Sequence, residues 1–108
     1  MTSVFPEIVQ QLPGCAPVEG VQIHISHTDT HEVMFLQCDI DLTYPSHAHS
    51  AQWTVVLSGE IEVTIFGETT TYRKGDTYYI PANVEHTVKM SAGYSEVFLV
   101  DEPNVLGL

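Results

Sequence analysis

An all-β fold is what this sequence predicts, and three observations predict it. Val, Ile and Thr are abundant, several short stretches alternate apolar with polar residues, and Gly, Pro and Asn fall between those stretches. β-Branched side chains fit a pleated surface, and a period of two marks a strand with one buried face. Short strands recurring about every 8–12 residues describe a sandwich or barrel. The 108 residues make one domain and leave no room for a second, and 44% hydrophobic against 16% charged residues argues against disorder.

Residues 1–19 hold three prolines and no sustained period beyond a helical turn at Glu7–Leu12, so they read as an arm packed on a body formed by residues 20–108. In the body, Val21, Ile23 and Ile25 alternate with Gln22, His24 and Ser26. Met34, Leu36, Cys38 and Ile40 alternate with Val33, Phe35, Gln37 and Asp39. Ile61, Val63 and Ile65 alternate with Glu60, Glu62 and Thr64. Gly67-Glu68 then predicts a tight hairpin into Thr69–Arg73. Lys74-Gly75-Asp76 is a solvated turn before Thr77–Ile80, in which Tyr78 and Tyr79 point to opposite faces. Pro81 and Asn83 mark a loop, His86–Met90 resumes the strand pattern, and Ser91-Ala92-Gly93 turns into Tyr94–Asp101. The tail Glu102–Leu108 shows no pattern. The stretch Gln52–Ser58 differs from the others. Trp53, Val55 and Leu57 on one parity and Thr54 and Val56 on the other leave both faces apolar enough to need cover. The arm or a second subunit would supply that cover, and a homodimer is the preferred expectation.

The charge balance excludes whole classes of partner. Three Lys and Arg stand against 14 Asp and Glu, a formal net charge of −11. Arg73, Lys74 and Lys89 cannot build a surface that neutralises phosphates, so nucleic acid is not an expected partner; the same acidity disfavours anionic membranes. The N-terminus has no basic segment followed by an apolar run, and no stretch approaches the roughly 20 apolar residues of a membrane helix, so a cytoplasmic protein is expected. Cys15 and Cys38 read as reduced structural thiols. Ser58-Gly59 lacks the context of a nucleophile elbow.

The chemistry rests with the six histidines. His24, His27 and His31 have spacings of three and four, which do not share one strand face, and they are expected as surface histidines around a turn at Thr28–Thr30. His47-Ala48-His49 is different. On a strand, residues i and i+2 point the same way, roughly 6.5 Å apart, close enough for two imidazoles to converge on one ion at about 2.0–2.1 Å. Gln52 returns to the same face if the chain bends near Ser50, and His86 begins a later strand just after a Pro-containing loop.

Two segments resemble the paired signature of the cupin superfamily. The first reads His47-x-His49-x2-Gln52-x6-Gly59, one residue short after His49 and with Gln where the family has Glu. The second reads Gly75-x5-Pro81-x-Asn83-x2-His86-x3-Met90 and matches every spacing, with Asn83 at a frequent Gly position and Met90 at a frequent Asn position. The resemblance spans about residues 30–100. It implies a double-stranded antiparallel β-barrel of the jelly-roll type and one divalent transition metal (Zn, Ni, Fe, Mn or Cu) held by His47, His49 and His86. Gln52 stands at the fourth ligand position, as an amide-oxygen ligand or as a hydrogen-bond donor to a bound water or substrate. The pocket wall is expected to include Tyr44, Thr54, Val56, Val88 and Met90, with Met34, Leu36, Cys38 and Ile40 as further candidates. The implied function is a metal-dependent enzyme of dioxygenase or isomerase type acting on a small polar or anionic molecule; the alternative is a non-catalytic module that binds a small ligand or metal. No general base is evident beside the ligands.

Overall fold

The computed structural model describes residues 3–103. A short helix α1 (Glu7–Gln10) precedes ten strands: β1 (Gly14–Cys15), β2 (Val21–His27), β3 (Glu32–Cys38), β4 (Leu42–His47), β5 (Gln52–Ser58), β6 (Glu60–Ile65), β7 (Glu68–Arg73), β8 (Thr77–Ile80), β9 (His86–Met90) and β10 (Tyr94–Val100). They form two antiparallel sheets, one of six strands in the order β1-β2-β3-β10-β5-β8 and one of four in the order β4-β9-β6-β7. The patternless tail expected after Asp101 lies largely outside the described residues. Among the described residues, no helix is long and apolar enough to cross a membrane.

Both sheets contribute to one core. Val21, Ile23, Ile25, Met34, Leu36, Val56 and Ile80 come from the larger sheet, and Ile61, Val63 and Met90 from the smaller. These are the inward members of the alternating stretches, so the period of two translates directly into burial. The chain passes between sheets at sharp corners. Gly59 alone joins β5 to β6, with φ +73°, and an added Cβ would lie 2.7 Å from the Tyr94 Cα. Only a residue without a side chain takes that backbone so close to β10.

Several expectations are corrected. The hairpin between β6 and β7 turns on Phe66-Gly67 rather than Gly67-Glu68, and both turn residues have positive φ (52° and 77°), the geometry of a two-residue turn that follows the strand twist. Phe66 carries that conformation exposed at the tip. Ile40 does not belong to β3; the strand ends at Cys38 and Ile40 is exposed, packed beside Gly20. His24 is not a surface loop residue. It is buried in β2 because β1 pairs across it (Gly14 with His24) and its Nδ1 lies 3.3 Å from the Leu12 carbonyl. His27 closes β2 with its Nδ1 3.0 Å from Glu32 Oε2, and only His31 stays in the connecting loop. Cys15 and Cys38 are free thiols.

The outer face of the larger sheet is covered unevenly. Phe5 is buried edge-on against Phe35, with ring centroids 5.7 Å apart, and Val4 N donates to Gln37 Oε1 at 2.9 Å. The N-terminal segment thus covers β2 and β3. Trp53, Leu57, Tyr79 and Leu99, on β5, β8 and β10, stay 38–58% exposed.

Candidate metal centre

The histidine motif is positioned by an irregularity in β4. Along the β4–β9 ladder Tyr44 pairs with Val88 and His47 with His86, so three steps on β4 oppose two on β9. The extra residue falls at Pro45-Ser46, where proline has no N–H for the ladder. The bulge ends the strand at His47 and brings it directly opposite His86. His49 lies beyond the strand, in residues 48–51, which carry the chain across to β5. The two histidines therefore do not share one strand face, as the H-x-H spacing suggested; a strand end and a bend bring them together.

Two contacts hold that bend. Asn83 N donates to the His49 carbonyl at 2.8 Å, tying the loop before His86 to the loop that carries His49. Asn83 has φ +63°, a left-handed conformation that Asn tolerates better than most residues, which is why it can stand at a glycine position. Ser50 donates to Glu102 Oε1 from both N (3.2 Å) and Oγ (2.8 Å), and these bonds hold the Glu102 carboxyl below the usual range.

The three imidazoles converge. Ring centroids are 4.2 Å apart for His47–His86, 5.0 Å for His49–His86 and 5.5 Å for His47–His49, and one ligand atom from each lies within 4.8 Å of the other two. The second ring nitrogens settle which atoms those are. His47 Nδ1 lies 2.9 Å from the Pro45 carbonyl, His49 Nδ1 2.7 Å from the Ser50 carbonyl and His86 Nδ1 2.9 Å from the Val84 carbonyl. A carbonyl only accepts, so each Nδ1 carries the proton and donates it. Each Nε2 is left with a lone pair, the tautomer that metal-binding histidines need. Burial and the neighbouring imidazoles lower the His86 pKa, which also favours the neutral ligand form. His47 is exposed, His49 half-buried and His86 buried, so the cluster spans from surface to interior. The residues present fit a divalent transition ion.

Below the histidines lies a cavity of about 370 Å³ with mostly apolar walls, including Met34, Leu36, Ile61, Ile80, Phe98 and Val100. Tyr44, Gln52, Val88 and Met90 are among the residues that line it. Thr54 and Val56 are fully buried but do not line it, and neither do Cys38 and Ile40. The reason for Thr54 is local: Gln52, one inward position earlier on β5, donates from Nε2 to Thr54 Oγ1 at 2.9 Å and lies over it.

The cavity also holds a group that sequence reasoning missed. Among the described residues, Glu96, 3% exposed on β10, is the one acidic residue lining it. Tyr94 Oη donates to Glu96 Oε1 at 2.6 Å and Tyr78 Oη to the same oxygen at 3.5 Å. Burial pushes the carboxyl up to about 7 against the opposing pull of these hydrogen bonds. Burial and the carboxylate beside them push both tyrosines well above their usual range, so they remain neutral donors. Thr54 lies near Tyr78 and opposes part of the rise in its pKa. Gln52, Thr54, Tyr78 and Glu96 thus form a polar cluster on this side of the cavity. The missed signal was parity: Tyr94, Glu96, Phe98 and Val100 share one face of β10.

Comparison with known proteins agrees with this architecture. The family model described as "Cupin domain" matches residues 41–100, more than half of the chain and all of the candidate centre. No curated protein sequence matches. Among solved structures, an RmlC-like cupin from Shewanella frigidimarina superposes with a TM-score of 0.80 at 18% identity, covering 92% of this chain and 91% of its own. KdgF from Halomonas sp. does so with a TM-score of 0.75 at 19% identity, covering 90% and 94%. A variant of Bacillus subtilis oxalate decarboxylase gives 0.75 at 16% identity, with 89% of this chain matching 29% of that much longer one. At these identities the structural likeness speaks for the fold alone. The family match across the motif-bearing strands, on a frame of two antiparallel sheets, shows that this chain belongs to the cupin domain family.

Proposed function

We propose that this protein is a metal-dependent enzyme that binds one divalent transition ion at His47, His49 and His86 and acts on a small polar or anionic molecule in the adjoining cavity. The observation that carries the reading is the shared tautomer: three Nδ1–H groups donate to main-chain carbonyls, so three Nε2 lone pairs are aimed into one volume. A bound divalent ion supplies Lewis-acid polarisation of a ligand oxygen. The solved neighbours include an enzyme, oxalate decarboxylase, which supports catalysis on a small molecule in this fold without fixing the reaction.

Gln52 shapes the ligand preference. Three neutral imidazoles and a neutral amide leave a divalent ion with its full charge of about +2, where a carboxylate ligand would leave about +1. With Nε2 committed to Thr54, the Gln52 amide oxygen is the atom free to face the cavity. The centre therefore favours an anionic or strongly dipolar oxygen donor in its open position. The exposed apolar strip on β5, β8 and β10 supports a homodimer as part of the same reading.

The test is a thermal titration. Chelator-stripped protein is mixed with Zn, Ni, Mn, Fe or Cu ions and melted, then the loaded protein is screened against small carbonyl and enol compounds for turnover. At least one ion should raise Tm, since a ligand at 100 times its Kd stabilises by about 2.7 kcal/mol. No shift with any ion would overturn the metal reading. Binding of compounds without any product would replace the enzyme by a binding module.

A further inference from the structure

We propose that Glu96 is the general acid and base of this cavity, moving a proton at the carbon next to the carbonyl group of a small carbonyl compound. The inference rests on the metal reading above, which provides the site where the carbonyl oxygen docks. Its own support is geometric. A carboxyl group is costly to bury without a cation, and none faces this one: Arg73, Lys74 and Lys89 are all on the surface. Two tyrosine hydroxyls, Tyr94 and Tyr78, bind the same oxygen, Oε1. Among the described residues Oε2 has no protein partner, and Glu96 lines the cavity. One oxygen is clamped and the other is available, which is how a positioned proton carrier is built.

The surroundings set when it works. On its own strand Glu96 faces Tyr94, and from β8 it faces Tyr78. Its register partners on the flanking strands β3 and β5 are Leu36 and Val56, which carry no charge. His47, His49 and His86 stand on the wall of the same cavity. In that setting the carboxyl titrates at about 7, so both protonation states are populated near neutrality.

The step balances without a co-reactant. The carboxylate takes the proton from the carbon, the C–H electron pair becomes the C=C bond of the enolate, and the C=O π pair moves onto oxygen. Return of a proton from the neutral carboxylic acid to the same carbon regenerates the ketone, which is seen as exchange; in an enediol, its delivery to the former carbonyl carbon, with the carbonyl reforming at the other oxygen as that hydroxyl loses its proton, gives the isomer. Nothing is oxidised or reduced, so the reaction class is isomerisation rather than dioxygenation. Tyr94 and Tyr78 are positioning residues that hold Oε1. Gln52 and Thr54, hydrogen-bonded to each other, lie between that clamp and the histidines.

The experiment follows deuterium incorporation from D2O into pyruvate and dihydroxyacetone by NMR, using metal-loaded wild type, Glu96→Gln, Glu96→Asp and Tyr94→Phe. Metal content and Tm are measured on every sample. Wild type should accelerate exchange into at least one probe. Glu96→Gln should lose about 100-fold or more while keeping its metal, and Glu96→Asp should recover part of the rate. The wild-type rate should rise with pH through about 7, and Tyr94→Phe should move that limb to higher pH, because its hydroxyl stabilises the carboxylate. Unchanged exchange in Glu96→Gln, or no exchange by wild type with bound metal, overturns the proposal and leaves the metal centre standing. Loss of metal binding by the wild type itself would instead sink the reading beneath it. Carbon-13 NMR of the Glu96 carboxyl in wild type serves as an independent check: titration near 4.5 would also overturn the proposal.

Discussion

Two residues on the cavity wall, Glu96 and Gln52, would carry the proposed chemistry, and each has a measurable consequence. Glu96 makes folding depend on pH in an unusual direction. Its folded pKa of about 7 lies above the ordinary 4.5, so its contribution to stability is fully present below pH 4.5 and is lost as pH rises through 7. Over that window the loss amounts to about 3 kcal/mol. Glu96→Gln should remove it, so that chemical denaturation shows the variant gaining on wild type by about that amount between pH 4.5 and 8; parallel curves for the two proteins would contradict this. Gln52→Glu should tighten metal retention against a chelator and weaken the binding of anions, because a carboxylate lowers the net charge of the centre. No change in either would place Gln52 outside the functional shell. Of this pair, Gln52 was legible in the sequence because it occupies a fixed place in a motif. Glu96 was not, because a single acid in an apolar strand reads equally well as its one solvent-facing residue, and only the pairing with β3 and β5 decides the face.

At the scale of elements, the alternating stretches translated into strands almost residue for residue, as in Thr77–Ile80 and His86–Met90. What escaped was structure without a period. β1 is two residues long and exists because it pairs with β2, and its passage over His24 turns an expected surface histidine into a buried one. The bulge at Pro45-Ser46 leaves no trace in hydropathy, yet it places His47 opposite His86 and lets His49 come round from the loop. The corner at Gly59 was visible as a motif glycine, and the structure supplies its reason. Gly59→Ala must put a side chain at φ +73° with its Cβ 2.7 Å from the Tyr94 Cα. Left-handed backbone costs about 1–2 kcal/mol and overpacking about 1–3, so a loss of roughly 2–5 kcal/mol is expected in a urea melt. A change under about 0.5 kcal/mol would show that the corner relaxes freely.

For the whole molecule, acidity and apolar surface act together. The exterior carries nearly all of the −11 net charge, while the strip of Trp53, Leu57, Tyr79 and Leu99 carries none. Two copies of so acidic a chain repel everywhere except across such a strip. The N-terminal segment lies against the β2–β3 half of that sheet face, and the proposed dimer would cover the other half. Light scattering should give twice the 12.0 kDa chain mass, and Trp53→Glu should return it to a single chain. A mass of 12.0 kDa at high wild-type concentration would rule the dimer out. The same acidic shell around the proposed metal centre would disfavour polyanions and favour small molecules of modest charge as ligands. The proposed function rests on the three-histidine centre, and one paired measurement tests it most directly: elemental analysis of natively purified wild type beside His47→Ala/His49→Ala. About one transition-metal ion per chain in the wild type and almost none in the double variant is the expected result. Equal metal content in the two proteins would contradict it.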